Sequence, residues 1–341
     1  MRARVRLLVL LSRPPVALLL ALYAAVGLSR AGHGQDPVPL AGSLMAVLGF
    51  LLFSVACNDL ADVAVDRINL PGAAGRPLVT GSAAARDMVV VAVTSGAVAL
   101  GVSLALDPRA AAVTAAGLAV SAGYSLRPVR LADRGAVAAL VLPACYVAVP
   151  YFVGVFAARH AVRPGDLLLL AGLYIGFIGR ILLKDFRDLR GDALFGKRTF
   201  LVRHGRGPTC LFSACCWVIG TTVLIAAARP GPAYALSTGL CLAGALWLLR
   251  ALATGPGHRR EEALISAVAV VGRGMILLLL AHLSMLQAHW TALAESAALA
   301  ALLAVTAGQA ATMAKYGPVT RSTVPFTEAE AAAGSSGPRM A

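Results

Sequence analysis

The stretch from residue 38 to residue 69, VPLAGSLMAVLGFLLFSVACNDLADVAVDRIN, decides the fold class. Residues 38–57 contain no charged side chain, and their number is about what an α-helix needs to cross a hydrocarbon core of roughly 30 Å. An asparagine and three aspartates follow directly. We therefore expect a membrane-spanning helix that carries a polar site at one end.

The rest of the chain repeats this apolar pattern. Of its 341 residues 59% are hydrophobic and only 13% are charged, against about 25% charged residues in a soluble domain. The apolar runs are continuous and do not alternate, which favours helices over a transmembrane barrel. We predict an all-α, polytopic transmembrane helical bundle of nine to ten spans. Ten segments qualify, at about residues 14–30, 38–57, 86–106, 109–126, 134–157, 166–183, 208–228, 233–253, 263–285 and 290–314.

These segments divide the chain into three parts. Residues 1–13 are basic and are predicted to form an N-terminal cap on the first span. A cleaved signal peptide is the rival interpretation, but no clear small-residue cleavage site follows the first apolar run. Residues 14–315 form one transmembrane domain. Residues 316–341 are polar and rich in small residues, and we expect a disordered cytoplasmic tail.

The net charge of +14 has a topological explanation. With the N-terminus in the cytoplasm, 23 basic residues fall on the cytoplasmic side and 5 on the other. Such a bias is typical of an integral membrane protein. We expect a bacterial inner (plasma) membrane location with a cytoplasmic active site, and no nucleic-acid partner. The six cysteines form no metal-type pair and are expected to be small buried apolar residues.

The acidic residues are concentrated in two places. Six of the 16 lie in two short stretches, each at the predicted cytoplasmic end of a span. Like charges repeated along one helix face repel each other and are costly at a membrane boundary unless cations neutralise them. Hard oxygen donors in this number suit Mg²⁺, which completes its shell with substrate phosphates. The alternative is a pair of solvated helix ends. The two faces carry Asn58, Asp62 and Asp66, and Asp185, Asp188 and Asp192.

Basic residues are interleaved with these acids, and this combination predicts a site for a magnesium-bound diphosphate. Asp59 points about 100° away from Asn58 on a helix, so we expect it to be a weaker metal ligand or an acceptor for a basic residue. Arg180 lies one turn before Lys184 and either reaches the site or extends its guanidinium to the membrane interface. Arg273 lies inside a span, where a charge indicates function by default. The interleaved cations include Arg67, Arg76, Lys184, Arg187, Arg190, Lys197 and Arg198.

Four segments carry a resemblance to a known family: N-D-x-x-D-x-x-x-D at residues 58–66, the R-P-L-V-T-G segment at 76–81, Tyr124-Ser125 before a basic loop, and K-D-x-x-D-x-x-G-D at 184–192. They resemble the UbiA superfamily of intramembrane prenyltransferases. In motif form they are most similar to homogentisate prenyltransferases and chlorophyll synthases, over roughly residues 15–310. Other branches space the second motif differently, and the family usually has nine spans.

The resemblance implies Mg²⁺-dependent transfer of a prenyl group from a prenyl diphosphate to a small, aromatic acceptor inside the lipid bilayer, with release of pyrophosphate. It implies the metal ligands Asn58, Asp62, Asp66, Asp185, Asp188 and Asp192. It implies catalytic roles for Asp62, Asp66, Asp185, Asp188 and Tyr124. The expected diphosphate-binding residues are Arg67, Arg76, Lys184, Lys197, Arg198 and Arg127.

Two other functions stay open at this stage. A terpene cyclase of the same superfamily would close the allylic cation on its own double bonds and would show the same metal site. A divalent-cation transporter would instead need acids near the middle of the membrane, along a route to both faces. The acids of this chain are expected at one face, so transfer is the preferred prediction.

Overall fold

The computed structural model describes residues 2–34, 36–69, 75–159, 161–187, 199–228 and 231–318, and all regular secondary structure in these ranges is helical. Short 3₁₀ turns occur at Leu131–Asp133 and Leu182–Lys184, and a π turn at Ala144–Ala148 joins two helices into one span. The helices are α1 Arg2–Ser12, α2 Pro14–Arg30, α3 Pro37–Asn69, α4 Ala85–Leu106, α5 Pro108–Ser125, α6 Ala136–Pro143, α7 Val149–Ala158, α8 Pro164–Ile181, α9 Phe200–His204, α10 Arg206–Ala227, α11 Pro232–Ala253, α12 His258–Gln287 and α13 Ala292–Tyr316.

Each of the ten predicted segments coincides with a helix, so the all-α, polytopic fold class is confirmed. Eight helices in the described ranges are long and apolar enough to cross a membrane, judged by length and composition. Of the other two segments, α2 has only 17 residues, and α5 is dominated by small residues. The predicted basic cap is itself helical, as α1.

Proline sets the start of many of these helices. It occupies the first helical position of α2, α3, α5, α8 and α11. Proline has no N–H to leave unbonded there, and its ring fixes φ near the helical value. The start of α5 is also capped, because the Asp107 carboxylate accepts a 2.7 Å hydrogen bond from the Arg109 amide. The apolar runs therefore begin as helices at defined residues.

The spans pack through small residues. A Cβ atom added at Gly27 of α2 would collide with the Tyr151 carbonyl oxygen of α7, and one at Gly154 of α7 with the Ala24 carbonyl oxygen of α2. Gly220 of α10 approaches the α8 backbone in the same way. Apolar burial gives little preference for protein over lipid inside a membrane, so close backbone approach and van der Waals contact hold the helices together.

Two apolar cores frame the bundle. One is built by α2, α3, α4 and α7 together with Leu11 of α1. The larger core joins α2 and α7 to α8 and α10–α13. Because α2 and α7 contribute to both, they link the half that carries the first acidic stretch with the half that carries the second. The C-terminal ends of α3, α5 and α8 meet on one side of this arrangement, where the candidate site lies.

Candidate functional site

One cavity of about 800 Å³, including its open mouth, lies where α3, α5, α6, α8 and α9 come together. Its wall contains side chains from both predicted motifs, which are far apart in sequence. The polar lining residues are Asn58, Asp62, Asp66, Arg76, Tyr124, Lys184, Asp185 and Thr199.

The first motif presents one helix face to this cavity, as its spacing predicted. Asn58, Asp62 and Asp66 all line the wall. The Asn58 side-chain amide donates to an Asp62 carboxylate oxygen at 2.8 Å, which leaves the Asn58 amide oxygen as a further donor atom for a cation. Asp66 is buried and lies 3.2 Å from the Arg76 guanidinium. Three oxygen-bearing side chains are thus held side by side on α3.

Asp59 has a different role. It is only 2% exposed and does not line the cavity. It accepts a 2.5 Å hydrogen bond from Arg13, which lies between α1 and α2, and it also pairs with Arg76. The prediction that Asp59 accepts from a basic residue is confirmed. Asp59 therefore fastens the residue 76 segment and the start of α2 to α3.

Arg130 was not among the predicted diphosphate-binding residues, yet it contacts the first motif directly. Its guanidinium donates to Asp62 at 2.8 Å, to Asp133 at 2.6 Å and to the Ala61 carbonyl oxygen at 3.2 Å. Burial acts to lower the pKa of Arg130, but the hydrogen bonds and charges of Asp133 and Asp62 outweigh it and raise that pKa above its ordinary value. Arg130 is therefore a permanent cation against Asp62.

Two predicted residues are not brought to the cavity. Arg127 is exposed in the loop after α5, and Arg67 is exposed at the end of α3, and neither lines the cavity wall. The basic loop does contain an arginine that contacts α3, but it is Arg130, three residues after Arg127. The sequence alone contains no signal for that choice.

The second motif is only partly described. Lys184 and Asp185 follow α8 and line the cavity opposite α3, and Tyr124 lies beside them. Both charged side chains take part in interactions. Four other predicted residues lie outside the described residues, and their roles stay predictions: Asp188, Asp192, Lys197 and Arg198.

The oxygen atoms in the cavity wall form a possible ligand set for a divalent cation. Within the described ranges no three His, Cys, Asp or Glu side chains stand close enough to hold a metal ion by themselves. The cavity does, however, collect three carboxylates and one amide, all hard oxygen donors, beside Arg76 and Lys184. Mg²⁺ keeps waters and uses one or two carboxylates plus substrate phosphates, so these residues fit that ion together with a phosphate ligand.

The remaining wall of the cavity is apolar. It consists mainly of small and aliphatic side chains of α6, of α8 and of the 3₁₀ turn after α8: Ala138, Ala139, Leu142, Ile181 and Leu182. Tyr146 and Phe177 stack at 6.1 Å between ring centroids in the neighbouring core. The cavity thus combines charged side chains of both motifs with apolar side chains of α6 and of the end of α8.

Three similarities to known proteins stand beside this geometry. The family model described as UbiA prenyltransferase family matches residues 17–270. The bacteriochlorophyll synthase 34 kDa chain of Chloroflexus aurantiacus is 29% identical over 168 residues, which cover 49% of this chain and 53% of that one. Digeranylgeranylglyceryl phosphate synthase of Methanoculleus marisnigri is 31% identical over 211 residues, which cover 60% and 71%.

A solved structure shares the fold. A UbiA homolog from Archaeoglobus fulgidus, bound to DMAPP and Mg²⁺, superposes with a TM-score of 0.63 at 15% identity and covers 81% of this chain and 99% of that one. The chain spans about half the length of the bacteriochlorophyll synthase that it matches. With eight apolar helices of spanning length in the part of the chain that the structure describes, it is an integral membrane protein.

Proposed function

The chain belongs to the UbiA prenyltransferase family, and on this premise we propose that it transfers a prenyl group from a prenyl diphosphate to a small aromatic acceptor and releases pyrophosphate. One observation carries the proposal: carboxylates of α3 and the Lys184-Asp185 pair after α8 line the same cavity, and aliphatic side chains such as Leu142 and Ile181 line it too. A diphosphate needs the charged end, and a hydrocarbon chain needs the apolar side.

The charged end is proposed to bind the leaving group. Asn58, Asp62, Asp66 and Asp185 would hold Mg²⁺, with Asp188 and Asp192 as the proposed remaining ligands. When bound, the ion neutralises the diphosphate and stabilises the charge that develops as the allylic C–O bond breaks. Arg76 and Lys184 line the same wall and would bind phosphate oxygens, with Lys197 and Arg198 as proposed additions.

The apolar side is proposed to protect the allylic cation. Water would quench that cation, so the reaction needs a wall that offers it no nucleophile. The aliphatic residues of α6 and α8 supply such a wall. Tyr124 lines the same cavity, and its ring can stabilise a nearby positive charge.

Arg130 is proposed to position Asp62. Its bonds to Asp62 and Asp133 fix the Asp62 carboxylate before substrate arrives. A preorganised carboxylate loses less freedom when it binds the cation and diphosphate, which favours the transition state. We further propose that this end of the bundle faces the cytoplasm of a bacterial cell, in line with the 23 to 5 distribution of basic residues.

The reaction is tested with membranes that contain the protein. Labelled prenyl diphosphates of different chain length are supplied with Mg²⁺ or with a chelator, first alone and then with neutral and acidic phenols. We expect pyrophosphate release and a prenylated phenol that require both Mg²⁺ and acceptor. If a hydrocarbon or terpene alcohol forms without acceptor, the activity is cyclisation and not transfer. Pyrophosphate release that persists in the Asp62→Ala variant would rule out the proposed site.

A further inference from the structure

Arg206, the first residue of α10, makes three contacts that a cation serving only membrane topology does not need. Its Nη2 atom lies 2.6 Å from a Glu261 carboxylate oxygen, and its Nη1 atom donates a 3.2 Å hydrogen bond to the Leu252 carbonyl oxygen. Its guanidinium carbon lies over the Phe186 ring, 5.1 Å from the ring centroid. Arg206 therefore joins the start of α10 to the end of α11, to the start of α12 and to the residue that follows Asp185.

Phe186 connects Arg206 to the proposed diphosphate site. It directly follows Asp185, which lines the cavity, but its own side chain is buried in the larger apolar core. Residues 185–187 are helical, so their side chains move together. The same turn has a second attachment, because Arg187 donates a 2.8 Å hydrogen bond to the Ser266 hydroxyl of α12. The position of the Asp185 carboxylate therefore depends on how Phe186 and Arg187 are held.

Two helix ends fix the orientation of the Arg206 guanidinium. Leu252 is in the last turn of α11, where carbonyl oxygens have no partner within the helix and attract a cation. Glu261 is in the first turn of α12, where a carboxylate is favourable, and it is buried. A planar guanidinium can bond to both acceptors and still present one face to an aromatic ring, which a lysine ammonium cannot do. The contact of Arg206 with Phe186 is thus set by two rigid elements.

Arg206 is also close in the chain to a second part of the cavity wall. Thr199 and Phe200, at the start of α9, line the cavity. Helix α9 ends at His204, and Gly205 alone separates it from Arg206. Arg206 therefore lies at a corner between two cavity-lining segments, one after α8 and one at the start of α9.

We propose that Arg206 is a positioning residue of the diphosphate site: it stacks on Phe186 and thereby holds the Asp185 carboxylate in the cavity wall. This rests on the proposed function, because it assigns a role in the same site. Within the described part of the chain, the cavity wall includes neither Arg206 nor Phe186, so Arg206 acts through Asp185 and does not touch the substrate. Replacing a residue that orients a metal ligand typically costs about 10- to 100-fold in metal affinity or activity.

Binding is measured without turnover. Purified protein in detergent is titrated calorimetrically with inorganic pyrophosphate in excess Mg²⁺. We expect the Kd to rise about tenfold in Arg206→Met, which keeps an apolar contact with Phe186 but has no charge, and Arg206→Lys should recover part of the affinity. Lys315→Met is the matched control, because Lys315 also lies over a ring, 5.0 Å from the Tyr316 centroid, and its Kd should equal that of wild type. A wild-type Kd in Arg206→Met would overturn the proposal.

A double variant separates positioning from a purely structural role. Arg206→Met alone leaves the buried Glu261 carboxylate without its cation and should lower the unfolding temperature. Combining it with Glu261→Gln removes both charges, so the unfolding temperature should recover while the pyrophosphate Kd stays raised. Recovery of the affinity together with the stability would make Arg206 a structural residue and overturn the proposal.

The contact between the guanidinium and the ring is tested by Phe186→Leu. Leucine keeps the apolar burial but offers no aromatic face to the cation. The substitution should raise the pyrophosphate Kd severalfold in the wild-type protein and less than about twofold in Arg206→Met, because either change removes the same contact. Equal factors in the two backgrounds would show that Arg206 does not act through Phe186, which would overturn the proposal.

Turnover then distinguishes this proposal from the proposed function. In transfer assays Arg206→Met should raise the KM for prenyl diphosphate and the Mg²⁺ concentration at half-maximal rate about tenfold, and leave the KM for the acceptor unchanged. Equal increases for both substrates would overturn the positioning role but not prenyl transfer. Pyrophosphate binding that depends on Arg206 in a protein without prenyl transfer would retain the positioning role and reject the proposed function. A wild-type protein with neither property would reject both.

Discussion

The two ends of α8 carry carboxylates in opposite situations. At its N-terminal end Asp166 is fully buried, pairs with Arg159, lies 3.4 Å from Arg30 and accepts a 2.7 Å hydrogen bond from the Arg163 amide. Just beyond its C-terminal end, Asp185 lines the open cavity that it shares with Asp62 and Asp66 of α3. The first carboxylate is sealed by its partners, whereas the second has room for a ligand beside it.

The contrast between Asp166 and Asp185 shows how a structural charge can be distinguished from a functional one in this protein. Both clusters combine aspartate with arginine at a helix end, so their composition is alike. Asp166 holds the ends of α2, α7 and α8 together, and nothing larger than its partners can reach it. Asp62 and Asp66 also have arginine partners, but their cavity side stays open. Open volume beside the charge, not burial of the charge, indicates the chemistry.

The largest effect on activity should come from substitution of the carboxylates that line the cavity. Asp62→Ala and Asp185→Ala should each lower prenyl transfer at least about a hundredfold, because each removes an oxygen donor aimed at the diphosphate cavity. Pyrophosphate release by purified protein is the measurement, and an unchanged unfolding temperature is the control. Full activity in either variant would place the reaction elsewhere in the molecule.

Substitution of the enclosed carboxylate, Asp166, should lower stability and leave activity nearly unchanged. Asp166→Ala leaves Arg30 and Arg159 without their carboxylate and should destabilise the fold by about 3 kcal/mol. Thermal unfolding in detergent measures this loss. Activity per folded molecule should stay within a factor of about two below the unfolding temperature. A folded, stable but inactive variant would contradict the assignment of Asp166 to structure.

An intermediate effect is expected at Arg130. Arg130→Gln should slow transfer about tenfold, because it releases Asp62, and Arg130→Lys should recover part of that loss. Its raised pKa keeps Arg130 charged at every pH below that value, so the ratio of wild-type to variant rates should be constant from about pH 6 to pH 9. Rate profiles over this range are the check, and a ratio that changes with pH would show that another group is involved.

The smallest effects should be at the two arginines outside the cavity. Arg67→Gln and Arg127→Gln should change kcat/KM less than about twofold, since exposed charges contribute little. Steady-state kinetics with varied prenyl diphosphate is sufficient. A tenfold increase in KM for either variant would mean that the loop or helix end moves to the ligand on binding.

Much of the architecture was predictable because it depends on local properties. Membrane-spanning helices follow from the length of apolar runs, and all ten predicted segments are helical. The common face of Asn58, Asp62 and Asp66 follows from the period of the α-helix, and these three residues line one cavity. That Arg130 is the partner of Asp62 could not be predicted, because the direction of a loop side chain is not a periodic property.

The helical membrane bundle and the two motifs at the ends of spans follow from the amino-acid sequence, because apolar length and carboxylate spacing act within a single helix. The pairing of Asp59 with Arg13 and Arg76, and of Asp166 with Arg159, is a property of the folded protein. So is the contact of the Arg180 side chain with α12 at Gly272, the residue before Arg273. Those outcomes depend on how separate helices approach one another, and packing between distant segments sets the environment of each charge.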